Sequence, residues 1–446
     1  MKTKGMNVDI PMTIIGSMVV LVIGILITIN PAGATKVTSS IFSWLLTNFG
    51  AVYLWFTFVL LCFAIWLYFS KYGNIRLGAS TPEYSRYKYF SMVASAGFGA
   101  GILYWGLIES LYYYITPMPG GIQANTPLAA EWALAYNFHH WGFMPWALYA
   151  VTALPLCYSF YVKGQRSLSL TQLCEYGWGP KIFSTPVKKL LDLLMIFVTI
   201  GALAQTMGFS LPLLGGLLAK TFGIAESFWV SAALIMVITV IYTISSYIGI
   251  EKGMSNISKW NINIMIILIA GVFLWGPKAF IINNTTNAMG IYLQNIIKMT
   301  LETDPINNGG FPQWWTVYFF AFMLSFAPFM AVFITRISKG QRLKDVVLLV
   351  IVAGSLGSIL FLGVWQSYSL HLELTGAINA LKTLTSSPTG GTELVIQILK
   401  TWPLASFWIV VFIISAIIHM AAAMNGCAFA LASLTSKELD ENCFGH

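Results

Sequence analysis

Long apolar runs separated by short polar segments dominate the chain. Ten of them are long enough to cross a membrane, which takes about 20 consecutive residues. They predict spans at 12–30, 47–70, 88–116, 141–162, 188–214, 226–249, 260–280, 314–335, 345–368 and 403–434. Between these spans we expect an outer loop at 118–139 and a short amphipathic helix at 286–303. The pattern predicts an all-α polytopic membrane protein.

Composition and charge support this interpretation and suggest an orientation. The chain is 57% hydrophobic and 9% charged, whereas soluble domains carry about 25% charged residues. The first apolar run lacks a small-residue cleavage site and is expected to stay as a span. Of the 24 Lys and Arg residues, 18 fall on the side that holds the N-terminus and 6 on the other. Because positive charge stays in the cytoplasm, we expect a cytoplasmic N-terminus, and no nucleic-acid partner.

The third predicted span is unlike a simple lipid-crossing helix. Small residues alternate with larger ones along Gly97, Phe98, Gly99, Ala100 and Gly101. Glu109 follows two turns later, just before the tyrosines 112–114. Glycines loosen a helix, and unwound carbonyls then become free to meet an ion or a ligand. An ionisable group in a membrane is a functional-site hypothesis, although close helix packing and a structural carboxylate explain the same residues.

Aromatic side chains concentrate in the fourth and eighth predicted spans. The candidates are Trp141, Trp146, Phe320, Phe322, Met323 and Phe326. Aromatic faces attract cations, but interfacial belts and ordinary packing also place rings in membrane helices. The sequence holds no Walker-type loop and no cluster suited to acid-base or metal chemistry. We therefore expect no enzyme and no ATP-driven pump, but a membrane protein that handles a polar, cationic solute.

Several short motifs occur in order over residues 70–436. They are Arg76-Leu77-Gly78, Pro82-Glu83-Tyr84-Ser85, Tyr104-Trp105-Gly106, Tyr112-Tyr113-Tyr114, His140-Trp141, Pro145-Trp146-Ala147, Gly309-Gly310-Phe311-Pro312-Gln313, Trp315-Thr316-Val317 and Arg336-Ile337-Ser338-Lys339-Gly340. Each is weak alone, but the combination is specific. It resembles the betaine/carnitine/choline transporters, and most closely their carnitine/gamma-butyrobetaine antiporter branch.

The resemblance implies an inverted-repeat secondary transporter fold and a homotrimer. Members have twelve spans, of which the first two are peripheral and the rest form two inverted five-helix repeats. On this pattern, residues 1–87 hold the peripheral helices, 88–280 the first repeat, and 281–446 an amphipathic helix with an incomplete second repeat. Since the chain ends shortly after the tenth predicted span, we expect the last two helices of the fold to be missing.

The resemblance also implies a function and a set of binding residues. Members move betaine, carnitine or choline across the plasma membrane by alternating access, holding the trimethylammonium head in an aromatic cage. Tyr113, Trp141 and Trp146 match cage residues, and Trp315 matches a residue on the outer approach. The tryptophan-rich core of the eighth span is replaced here by Phe320, Phe322, Met323 and Phe326. The choice among quaternary-ammonium and related zwitterionic solutes therefore stays open.

The resemblance does not determine which ion, if any, is coupled to solute transport. Expected ion or backbone-coordination positions are Gly97, Phe98, Gly99, Gly101, Asn261 and Asn425. The glycine run resembles ion-coupled members, and Asn261 stands where sodium-independent antiporters have an arginine. Met424 and Asn425, however, replace the Thr-Ser pair that sodium-coupled members have in the tenth span. We expect an external coupling ion, either sodium or a proton, and no other cofactor; the alternatives are an ion-independent substrate/product antiporter, or a truncated, non-transporting paralogue or ligand sensor.

Overall fold

The regular structure of the protein is helical. A computed structural model describes residues 9–98, 101–165, 168–387 and 389–435, and these ranges contain no β-strand. The first helices are α1 (Ile10–Ile29), α2 (Pro31–Phe69), α3 (Arg86–Phe98), α4 (Gly101–Tyr114), α5 (Pro127–Trp141), α6 (Phe143–Tyr161), α7 (Leu170–Trp178), α8 (Thr185–Phe222) and α9 (Phe228–Ile248). The remainder are α10 (Ser255–Trp275), α11 (Lys278–Leu301), α12 (Tyr318–Ile337), α13 (Leu343–Val347), α14 (Gly354–Leu374), α15 (Ala380–Ser386), α16 (Gly390–Lys400) and α17 (Ala405–Leu434).

Every predicted span has a helical counterpart. Among the described residues, nine helical stretches are long and apolar enough to cross a membrane. The pair α3 and α4 makes a tenth span if it is counted as one, with the two axes differing in direction by 64°. This confirms an all-α polytopic membrane protein. The division into repeats at residues 88 and 281 stays a prediction.

The predicted outer loop at 118–139 is wrong over most of its length. Helix α5 starts within it at Pro127, capped by the Thr126 hydroxyl, which accepts from the Ala129 N–H at 3.2 Å. Only Gly142 separates α5 from α6. A Cβ at Gly142 would collide with the carbonyl of Phe138. Of the polar residues of α5, Asn137, His139 and His140 are fully buried, whereas Glu131 is exposed.

Other boundaries differ for local reasons. The predicted helix at 286–303 is present, but as α11 it already begins at Lys278. Helix α2 starts at Pro31 rather than at residue 47. Its early turns are polar, yet the hydroxyls of Thr35, Thr38 and Ser40 donate to carbonyls one turn back at 2.8 Å. These bonds satisfy the side chains within the helix, so the helix continues through them.

Burial divides the helices into two groups. About a tenth of α1 (11%) is buried, and 17% of α9. In contrast, 67% of the stretch containing α12 and 61% of the stretch containing α14 are buried. Apolar side chains that stay exposed on a membrane-length helix face lipid. The protein core, where a solute could be enclosed, is therefore built by α3 to α6, α12, α14 and α17.

Two loops that are distant in sequence pair through their backbones. The loop 75–83 precedes α3, and the segment 339–343 follows α12 and ends at the first residue of α13. Four hydrogen bonds of 2.6–3.1 Å join them: Leu77 N–H to Gln341 O, Gly340 N–H to Leu77 O, Glu83 N–H to Lys339 O, and Leu343 N–H to Ile75 O. Gly340 has φ +80°, and a Cβ there would collide with the Thr81 carbonyl. We call these segments the loop pair.

Candidate functional site

A fully buried carboxylate lies at the centre of the core. Glu109 and Tyr113 are one turn apart on α4, and the Tyr113 hydroxyl donates to Glu109 Oε1. From α5, Trp141 Nε1 donates to Glu109 Oε2 at 2.7 Å. Glu109 and Tyr113 are fully buried and Trp141 nearly so. The carboxylate thus holds two of the predicted cage residues, which come from different helices.

The hydrogen bonds continue beyond Tyr113. His140 Nδ1 lies 2.6 Å from the Tyr113 hydroxyl, and His140 Nε2 lies 3.0 Å from Thr316 Oγ1. Because the tyrosine proton goes to Glu109, the bond from His140 must be donated by Nδ1–H. Nε2 is then an acceptor for the Thr316 hydroxyl. We call Glu109, Tyr113, Trp141, His140 and Thr316 the Glu109 network.

Aromatic rings pack around this network. The rings, named here the aromatic cluster, are Trp105, Tyr112, Tyr113, Trp141, Trp315 and Phe319. Trp315 meets Tyr113 edge to face, with ring centroids 4.8 Å apart and planes at 83°. Phe319 lies 5.7 Å from Trp141 and stacks on His140 at 5.1 Å. The structure therefore brings Tyr113, Trp141 and Trp315 together on the α4 half of the broken span, where Tyr113 lies about three turns beyond the start of α4 at Gly101.

Trp146 lies next to the cluster and is tightly enclosed. Its Nε1 is within hydrogen-bond distance of the Trp141 carbonyl, at 3.2 Å, and of Ser358 Oγ, at 3.1 Å. A Cβ at Gly354 would lie 2.5 Å from the ring atom Cδ2, and one at Gly97 would lie 2.8 Å from Cη2. The ring thus packs against the backbones of two glycines. For Gly97, this supports close packing, one of the two explanations left open above.

The eighth span presents its rings differently from the prediction. Phe320 does not join the others; it packs in a separate apolar cluster with Leu46 and Leu54 of α2. Its neighbour Phe319 takes the place against Trp141. One residue turns an α-helix by about 100°, and a π-helical stretch at Pro312–Val317 precedes α12 and alters the register.

Further along α12, the remaining candidates follow one another. Phe322 stacks on Tyr318 at 6.2 Å and meets Phe326 at 5.0 Å. The sulfur of Met323 accepts from the Tyr149 hydroxyl at 3.1 Å. Phe322 thus links the aromatic cluster, through Phe319 at 6.5 Å, to deeper apolar residues.

The candidate ion positions fall into two settings. Phe98 is buried with its ring 5.5 Å from that of Trp146. Gly101 begins α4, and a Cβ there would meet nothing within 4 Å. Gly99 lies outside the described residues. The break between α3 and α4 is thus bounded by a closely packed residue on one side and by open space on the other.

The two asparagines differ in how their amides are used. The amide of Asn425 is engaged on both sides: Nδ2 donates to Ser245 Oγ at 3.0 Å, and Oδ1 accepts from Ser246 Oγ at 2.6 Å. Ser245 and Ser246 both belong to α9. Asn261 on α10 is fully buried, and neither its oxygen nor its nitrogen has a partner. Of the two, Asn261 is the one with free capacity for a ligand.

Some contributors were missed by sequence reasoning. Gln366 of α14 accepts from the Ser110 N–H at 2.9 Å and donates to the Trp105 carbonyl at 2.7 Å, which fixes α4 beside the cluster. Phe319 was overlooked in favour of Phe320, and Thr316 was noted only as part of a motif. No sequence signal marked Gln366, since a lone glutamine in an apolar run is uninformative.

Comparison with known proteins assigns this arrangement to a family. A family model described as "BCCT, betaine/carnitine/choline family transporter" matches residues 11–443. The chain belongs to the BCCT family. The predicted resemblance is therefore confirmed, and the protein is a transporter by family and not an enzyme.

Curated BCCT relatives cover most of the chain. A carnitine transporter of Acinetobacter baumannii is 32% identical over 91% of this chain and 73% of the relative. The uncharacterized transporter YeaV of Escherichia coli is 34% identical, over 84% and 78%. The glycine betaine transporter OpuD of Bacillus subtilis is 29% identical, over 92% and 79%.

Proposed function

We propose that this BCCT protein is a secondary active transporter of a quaternary-ammonium or related zwitterionic solute, working by alternating access. The observation that carries the proposal is the aromatic cluster, enclosed in the core beside a broken span. Relatives named as carnitine, glycine betaine and ectoine/hydroxyectoine transporters support this solute class. Transporter sites lie at such discontinuous helices.

The cluster suits a methylated ammonium head. Tyr113, Trp141, Trp315 and Phe319 offer ring faces and edges at one place. A cation desolvated against such faces gains about 2 kcal/mol. Because phenylalanine attracts a cation less than tryptophan does, the α12 side of the site contributes mainly apolar contact. The start of α4 at Gly101 lies about 18 Å along the helix from Tyr113, so its open backbone suits an ion or a solute at another stage of transport rather than the carboxylate of a solute held by these rings.

We further propose a coupling sodium ion beside Asn261. The Ser95 hydroxyl on α3 donates to the Ser258 carbonyl on α10 at 3.1 Å, and the Tyr87 hydroxyl at the start of α3 donates to the Asn263 oxygen at 2.7 Å. The two helices therefore run antiparallel, and Asn261 lies beside the middle of α3 rather than at its end. The unpartnered oxygen of Asn261 offers a ligand to the ion.

Membrane placement follows from charge. We place the protein in the plasma membrane with a cytoplasmic N-terminus, because 18 of the 24 Lys and Arg residues then face the cytoplasm. A homotrimer is the assembly that the family resemblance implies, and exposed apolar faces such as that of α1 offer surface for lipid or for neighbouring copies.

The test is solute uptake into proteoliposomes. Purified protein is reconstituted and given radiolabelled glycine betaine, carnitine or choline, with and without an inward sodium gradient. We expect uptake of at least one of these solutes, faster with sodium, and loss of the sodium stimulation in Asn261→Leu. Equal uptake without sodium, stimulated by solute preloaded inside, would identify an exchanger. Binding without any uptake or counterflow would remove the transporter proposal and favour a ligand sensor.

A further inference from the structure

We infer that Glu109 is a positioning residue, which aligns Trp141 and Tyr113 for solute binding through a directional relay of buried hydrogen bonds ending at Thr316. The inference rests on the proposed function, since it concerns the same site. Glu109 does not touch the solute in this arrangement; it acts through the rings that do.

The first argument is the convergence of donors. Glu109 is fully buried, and among the described residues no Lys or Arg pairs with it. Instead, an O–H and an N–H reach its two oxygens from α4 and α5. A buried donor left without an acceptor costs about 1–3 kcal/mol. The carboxylate therefore fixes Trp141 at its nitrogen edge, which leaves the indole face to Phe319 and to a bound solute.

The second argument is the order of the bonds. In the Glu109 network, His140 and Tyr113 each accept one bond and donate one, Thr316 and Trp141 donate, and Glu109 only accepts, so the protons run in one direction. Thr316 donates to His140, and His140 donates to Tyr113. Tyr113 then donates to Glu109, which also accepts from Trp141. Since Thr316 follows Trp315 directly, the relay ties the start of the eighth span to the cage on α4 and α5.

Glu109→Gln separates positioning from charge. In this variant, the amide oxygen still accepts from Trp141, and the amide nitrogen donates to Tyr113. Tyr113 then donates to His140, whose other nitrogen donates to Thr316, so the whole relay reverses without losing a bond. Glu109→Leu has no acceptor and leaves both donors unsatisfied.

The measurement is solute affinity, by equilibrium binding of the solute that the wild-type protein transports. We expect Kd to rise about threefold or less in Glu109→Gln, because no hydrogen bond is lost. In Glu109→Leu, we expect a rise of about tenfold or more, since the loss of even one buried hydrogen bond corresponds to about tenfold in Kd. Thermal unfolding in detergent checks that both variants fold. If Glu109→Gln loses as much affinity as Glu109→Leu while remaining folded, the carboxylate acts by its charge and the inference is overturned.

A second pair of variants tests the far end of the relay and remains informative if Glu109→Leu does not fold. Thr316→Val removes the terminal hydroxyl and should raise Kd about fivefold. Thr300→Val is the matched control, because Thr300 is equally buried but its hydroxyl bonds the Ile296 carbonyl of its own helix. Equal Kd values for the two variants would contradict the relay. Absence of any binding by the wild-type protein would instead refute the proposed function.

Discussion

Replacement of Gly354 by alanine tests the enclosure of Trp146. The added Cβ would lie 2.5, 2.6 and 2.8 Å from three ring atoms of Trp146, where real contacts of this kind begin near 3.4 Å. The ring has little room to retreat, because Gly97 lies at its far edge and Ser358 holds its nitrogen.

The expected cost follows from these contacts. Overpacking of a well-packed core costs about 1–3 kcal/mol. A ring shift of nearly 1 Å would also weaken the Nε1 contacts at 3.2 and 3.1 Å, and a hydrogen bond contributes about 1 kcal/mol. We therefore expect Gly354→Ala to destabilise the protein by about 3 kcal/mol, and to weaken solute binding because Trp146 also supports the carbonyl of Trp141.

Thermal unfolding in detergent and equilibrium solute binding measure both effects. Gly201→Ala on α8 is the matched control: its Cβ would meet nothing within 4 Å, so alanine should stabilise that helix slightly. Trp146→Phe placed in the Gly354→Ala background should recover part of the stability, since the smaller ring makes room. If Gly354→Ala unfolds and binds like Gly201→Ala, the enclosure of Trp146 is not as described.

Three further outcomes are expected. Trp141→Ala should weaken solute binding by about 1–2 kcal/mol, the size of a desolvated cation–π contact; unchanged affinity in a folded protein would exclude Trp141 from the site. Phe319→Ala should raise the Kd for the solute, whereas Phe320→Ala should lower only the unfolding temperature. The reverse result would place Phe320, as expected from the sequence, rather than Phe319 at the site. Gly340→Ala should lower the unfolding temperature, because φ +80° and the Thr81 carbonyl both oppose a side chain; an unchanged melting curve would count against the loop pair.

Much of the fold was predictable because membrane spans depend on length and apolarity, which a sequence displays directly. The segment of helix α5 was expected to be an outer loop, yet it is helical, and its polar residues Asn137, His139 and His140 are buried. Burial of polar groups depends on partners elsewhere in the chain. His140, for example, reaches Thr316, 176 positions away, and no local pattern reveals that.

The candidate site was predicted in part. Tyr113 and Trp141, which the resemblance implied as cage residues, do lie together, and Trp315, expected on the outer approach, packs against Tyr113. Their role in binding stays a proposal. Phe320 was expected at the site because it aligns with the family's tryptophan-rich core, whereas the structure packs it with Leu46 and Leu54 and turns Phe319 toward Trp141. The π-helical stretch at Pro312–Val317 shifts the facing of the residues that follow it, and such a stretch depends on packing rather than on local sequence preference.

The loop pair has a mechanical consequence. The backbone hydrogen bonds of the loop pair join the start of α3 to the end of α12. If one of these helix ends moved without the other, the hydrogen bonds between them would break. In the proposed transport cycle, we expect bending further along α12, at Pro328, where the missing N–H already interrupts the helical hydrogen bonds. The ends of α3 and α12 that the loop pair joins would then stay together, while the part of α12 before Pro328 is free to move.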